Sequence, residues 1–193
     1  MTKKEIAFEE RMAKQRAKRG FCDRDVWSID YWFCQTIAPM LRQLAKTTHG
    51  CPCIDENGNV FHKENISDEE LETYSKRWND ILLHMAFLAE EMHPEKCSMK
   101  NPYDKQLFRF HRNFKKKYGD SGEKLYTEED KKEIAEKGLY RIYTAADDPI
   151  HGEEYKKISD LYFEYERMID EYMGKCEDEF FTLFHKYFRN LWD

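Results

Sequence analysis

Apolar residues recur every three to four positions in four stretches of the chain and almost nowhere alternate, so the pattern predicts helices and very little sheet. At 100° per residue, Val26, Trp27, Ile29, Phe33, Cys34, Ile37, Met40, Leu41 and Leu44 fall on one half of a helical wheel. Asp30 lies at the centre of that half, where a carboxylate is costly unless it is paired. Leu71, Tyr74, Trp78, Ile81, Leu82, Met85, Leu88 and Met92 form a second stripe. Ile158, Tyr162, Tyr165, Ile169, Tyr172, Cys176, Phe180, Leu183, Tyr187 and Leu191 form a third, close to a coiled-coil seam. Phe163, Phe181, Phe188 and Trp192 lie more than a quarter-turn from that seam, so the last helix is either wrapped on two sides or offers an aromatic patch to a partner.

Start and stop signals divide these stripes into elements. Residues 2–19 read as a charged helix ended by Gly20, and their few apolar positions (Ile6, Phe8, Met12) suit an arm. Asp23 is the expected N-cap of the next helix, which runs to about Thr48 and carries Pro39, with a kink expected near Thr36. Asn57-Gly58 predicts a small hairpin between Cys53-Ile54 and Val60-Phe61. Ser67 with Glu70 is a capping box for a helix that should stop near His93, before Pro94. A short basic helix follows to Tyr118, another is capped by Thr127 and Asp130, and the longest helical signal covers about 151–192. The expected fold is all-α: a bundle of five or six helices with a long C-terminal helix and a small irregular or hairpin insert at 50–66. Residues 1–19 are the expected arm and 20–193 a single helical domain.

Composition fits this picture. Of the 193 residues 36% are charged and 40% hydrophobic, 15% being aromatic, which suits a globular protein with a core rich in rings. No segment has the length and apolarity to cross a bilayer, and the first residues lack the apolar core of a signal peptide, so the cytosol is the expected compartment. The six cysteines are then expected to remain thiols. A net charge of −6 conceals alternation: +4 over 1–50, −6 over 51–100, +1 over 101–150 and −5 over 151–193. No region is basic enough to read as a nucleic-acid binder on charge alone.

Candidate chemistry is sparse. Asp30 reads either as a network carboxylate or as part of a pocket with His84, His93 or the Cys51/Cys53 hairpin, in which case the protein is a small metal-dependent enzyme or metal-binding protein. His49, Cys51, Cys53 and His62 are the right atom types for zinc, but Cys51-Pro52-Cys53 is tighter than paired zinc cysteines usually are, so incidental thiols are the expectation and no metal is assigned. Residues 106–119 interleave Arg109, Arg112, Lys115, Lys116 and Lys117 with Phe108, Phe110, His111, Phe114 and Tyr118, a mixture that suits phosphates and stacked bases. Leu107, Phe110, Phe114 and Tyr118 also recur at helical spacing, which explains most of the aromatics by packing. Glu90-x-x-His93 lacks the second Glu-x-x-His of a di-iron bundle, and Glu69-x-x-Glu72 lacks the Glu-x-x-Asp of helical nucleotide pyrophosphohydrolases. Phosphate-binding loops, dinucleotide turns and nucleophile elbows do not occur.

The run Asp23-x-Asp25-Val26-Trp27-x-x-Asp30, continued by Leu41-Arg42-x-Leu44, His49-Gly50-x-Pro52 and Trp78-x-x-Ile81-Leu82, resembles a family of uncharacterised helical proteins encoded by phages and prophages of gut bacteria. The resemblance covers roughly residues 19–92. It implies a phage or mobile-element origin and no activity; small acidic helical phage proteins of this type are similar in kind to inhibitors of host defence, anti-CRISPR proteins among them. The expected function is therefore non-catalytic: binding and blocking a host machine that handles nucleic acid, a Cas effector being one example, without a cofactor. The expected contacts are Trp32, on the polar side of its helix, and the acidic runs Asp68, Glu69, Glu70, Glu72 and Glu177, Asp178, Glu179. The last helix is a candidate homodimer surface, no membrane partner is expected, and direct nucleic-acid binding through 105–117 is the alternative.

Overall fold

The computed structural model describes residues 1–138 and 140–192; Asp193, the last residue of the expected domain, lies outside them. The fold is all-α. Six helices, α1 (Lys3–Arg19), α2 (Ile29–Thr47), α3 (Asp68–Glu91), α4 (Asp104–Tyr118), α5 (Glu128–Lys137) and α6 (Gly152–Tyr187), account for most of the described residues, with two short strands, β1 (Cys53–Ile54) and β2 (Val60–Phe61). The strands pair antiparallel with Cys53 opposite Phe61 and Ile54 opposite Val60, as the Asn57-Gly58 turn implies.

By contacts the chain falls into two compact units, Met1–Ser98 with Met173–Asp193, and Met99–Tyr172. In the first, α2 packs on α3, and the core holds Leu41, Trp78, Leu82, Met85, Leu88, Phe180 and Tyr187. The Trp78 and Tyr187 rings meet edge to face at 5.6 Å, and Tyr187 donates from its hydroxyl to the Gly58 carbonyl at 2.6 Å, which ties the hairpin turn to the end of α6. Gly58 has a positive φ of 75°, and a Cβ there would lie 2.9 Å from the Tyr187 hydroxyl oxygen. The N-terminal helix expected as an arm belongs to this unit: Met12 is buried, and Arg24 pairs with Glu9.

In the second unit α4 buries Phe114, with Leu107, Phe110 and Tyr118 half-buried on the same side. Thr127 and Asp130 cap α5 reciprocally, and Tyr143 donates to Asp130 at 2.9 Å. Asn101 donates to the Tyr162 carbonyl at 3.0 Å and to Glu166 at 2.7 Å, fixing the entry to α4 against the first part of α6.

The seam of α6 is as the spacing predicts: every one of its ten positions is buried or half-buried. Phe163 in the second unit, and Phe181, Phe188 and Trp192 in the first, are exposed. Gly174 does not interrupt the helix, and α2 runs through Pro39. Among the described residues no helix is long and apolar enough to cross a membrane, and no disulfide links the six cysteines.

Candidate functional site

The segment between α1 and α2 departs most from its sequence pattern. Gly20, in the left-handed region at φ 82°, closes α1 by donating to the Arg16 carbonyl, and the chain turns back so that Cys22 is fully buried. A single 3-10 turn, Asp25–Trp27, comes next, and Ser28 at φ −144° breaks the path before α2 begins at Ile29. The helix therefore starts about five residues later than an Asp23 N-cap implies, and Asp23 instead binds the side chains of Gln15 and Arg19.

That shift changes which carboxylate is buried. Asp30 is exposed in the first turn of α2, where its charge suits the positive helix end, so its expected place in an apolar stripe is corrected. The buried one is Asp25, only 8% exposed. It accepts from Arg16 Nε at 3.0 Å, from Arg16 Nη2, and from the Cys22 backbone N–H at 2.7 Å. The Arg16 bonds are the largest influence, and they hold the Asp25 carboxyl well below the usual carboxylate range. The role expected of Asp30, accepting hydrogen bonds inside the fold, thus falls to Asp25.

With the wheel broken at Ser28, the apolar residues around the start of α2 have no core to enter. Val26 is 56% exposed, Trp27 90% and Ile29 62%. Phe21, Asp25, Val26, Ile29 and Trp32 line a hollow of about 370 Å³ that presents apolar surface, and two more of about 370 Å³ adjoin Trp27. Trp32, expected to stand free as an anchor, is half-buried as a wall of the first hollow, and Trp27 is the free ring. The wheel places Trp27 on the core side because it assumes one continuous helix from residue 24. Ser28, itself an N-cap residue type two places before Asp30, was the available signal for a later start.

Of the expected acidic contacts, Asp68, Glu69 and Glu72 are exposed on the first turns of α3. Glu70 is engaged: it binds Lys63 and receives the Ser67 N–H at 3.1 Å, and these bonds, Lys63 first, lower its pKa. Glu177 and Asp178 are exposed on α6, whereas Glu179 faces His84 across α3 at 2.7 Å. The two runs do not form one patch, since Glu179 meets α3 at residue 84, about 18 Å along the helix from Glu72.

The metal-type residues are dispersed. Among the described residues, no group of three or more His, Cys, Asp or Glu is placed to hold a metal ion. Cys51 Sγ lies 3.3 Å from the Ser75 hydroxyl, while Cys53 is buried in β1. Glu90 pairs with Arg42, and His93 is buried beneath the Tyr31 ring, its Nδ1 accepting the Glu95 N–H at 3.1 Å. Neither His84 nor His93 gathers with Asp30.

On α4, Arg109, Arg112, Lys115, Lys116 and Lys117 are all exposed. Lys115 lies 3.5 Å from Asp120, and Lys117 3.9 Å from Asp148. Of the phenylalanines and tyrosine of the segment, Phe108 is the one left largely in solvent, at 66% exposure. No protein-family model, curated protein or solved structure matches the chain.

Proposed function

We propose that the protein is a phage-derived, non-catalytic interaction protein that docks on and inhibits a host machine handling nucleic acid, as anti-CRISPR proteins do, in the cytoplasm of a bacterial cell. One observation carries the reading: Val26 and Ile29 stand exposed around an apolar hollow, with the exposed Trp27 ring lining the two hollows beside it, on a corner braced by the Arg16–Asp25 pair. A monomer leaves few such clusters open, and a pre-ordered tryptophan beside a hollow has the character of a binding hot spot. Asp68, Glu69 and Glu72, with Glu177 and Asp178, supply exposed negative charge that complements a groove built for phosphates. Phe181 on α6, with Phe188 and Trp192 just beyond its end, offers a second apolar surface, suited to a copy of the same chain.

Capture on tagged protein at low salt tests this, with bacterial lysate and a purified Cas9-type effector as sources. Wild type should retain a stoichiometric partner that acts on nucleic acid. Trp27→Ala combined with Ile29→Asp should weaken it about 30-fold, the loss of a hot spot worth about 2 kcal/mol. Absence of a stoichiometric partner, or an unaffected double variant, overturns the proposal.

A further inference from the structure

The basic helix of the second unit carries a feature that docking at the Trp27 corner does not use. At 100° per residue, Lys105, Arg109, Arg112 and Lys116 fall within about 60° of one another, directly opposite the side of α4 that carries Phe114 into the core. They form a line about 16 Å long. All four are exposed, and among the described residues none is ion-paired: the α4 cations with carboxylate partners there are Lys115 and Lys117, at the C-terminal end. Packing accounts for Leu107, Phe110, Phe114 and Tyr118, but leaves Phe108 beside this line with its ring in solvent.

A row of unpaired cations calls for an extended polyanion, and an exposed ring beside it calls for a flat apolar surface. We propose that this face of α4 binds single-stranded nucleic acid, with Lys105, Arg109, Arg112 and Lys116 on successive phosphates and Phe108 stacked on a base. A duplex satisfies only half of the feature, because its bases are already stacked on each other and present no free face to Phe108. An anionic membrane is a poorer match too, since the apolar side of α4 is turned into the protein and one phenyl ring is little to insert. The strand runs along the ridge of the helix. The cleft of about 240 Å³ at its edge, beside Arg109 and Asn113, is also lined by Asp148 and Glu154, whose charge turns phosphates away.

Fluorescence anisotropy on the full chain with labelled oligothymidylate and oligouridylate tests the site. Binding to either strand supports it, and affinity should fall about 50-fold between roughly 50 and 200 mM salt, as four phosphate contacts require. Arg112→Ala with Lys116→Ala should reduce that fall to about 7-fold. Phe108→Ala should weaken binding by roughly 5- to 150-fold. These positions are exposed, and circular dichroism should show unchanged helix. No binding at low salt, a duplex bound as tightly as a single strand, phosphatidylserine vesicles bound in its place, or a Phe108→Ala protein that binds like wild type would each overturn the proposal. Trp27→Ala with Ile29→Asp should leave oligonucleotide affinity unchanged, which separates this site from the docking corner.

Discussion

The two helices at the heart of the first unit begin in opposite ways. α3 starts on Ser67, whose hydroxyl accepts the Glu70 N–H while the Glu70 carboxylate receives the Ser67 N–H, and behind that box its stripe from Tyr74 to Met92 is buried or half-buried. α2 starts on Ser28, which makes no such bond, and the apolar residues around that start, Val26, Trp27 and Ile29, remain in solvent. The two stripes look alike on a wheel. A wheel, however, assumes an unbroken 3.6-residue period, and a single 3-10 turn followed by a non-helical residue resets the phase. A reciprocal cap is what certifies where the period begins.

The comparison breaks most sharply at its two tryptophans. Trp78→Ala should cost about 3–5 kcal/mol in urea unfolding, since the side chain is fully enclosed and leaves a cavity against Tyr187. Trp27→Ala should stay within about 0.5 kcal/mol, as an exposed substitution does. Similar costs for the two would mean that Trp27 belongs to the core after all.

Next in size is the pair that holds the α1–α2 corner. Arg16→Ala leaves the buried Asp25 with Cys22 as its remaining hydrogen-bond partner among the described residues and should cost about 1–3 kcal/mol. Because the folded-state pKa of Asp25 is lowered, the contribution is present above the ordinary carboxylate value. It is lost as pH falls below about 4 toward the lowered value. The stability gap between wild type and Asp25→Asn, followed across pH, should therefore be flat near neutrality and shrink only in acid. A gap that closed between about pH 6 and 8 would place the controlling group elsewhere.

The smallest effect sharpens the comparison at the caps themselves. Ser67→Ala should lose about 1 kcal/mol of stability, whereas Ser28→Ala, which removes no cap bond, should lose less than about 0.5 kcal/mol. Equal losses would show that both helices are fixed by their N-caps.

Where local chemistry dictates geometry, the sequence was readable. Gly20 closing α1, the Asn57-Gly58 hairpin with its register, the capping boxes at Ser67 and Thr127, and the inner seam of α6 each follow from residues close together in the chain. The candidate site was legible only in part. Its acidic and basic positions were identifiable by type, and Phe108 stood out from the packing positions of α4. Trp27 did not, because its exposure depends on the break at Ser28.

The sequence by itself determined an all-α chain with one small hairpin, since the 3.6-residue spacing and the cap residues act within a turn or two of backbone. Only the tertiary structure decided which carboxylate is buried and which tryptophan is free. Asp25 is enclosed because α1 folds back and brings Arg16 to it across nine residues, and Trp27 is free because that same contact closes the corner without covering the ring. Partners at such separations are chosen by the packing of whole elements, which no local window contains.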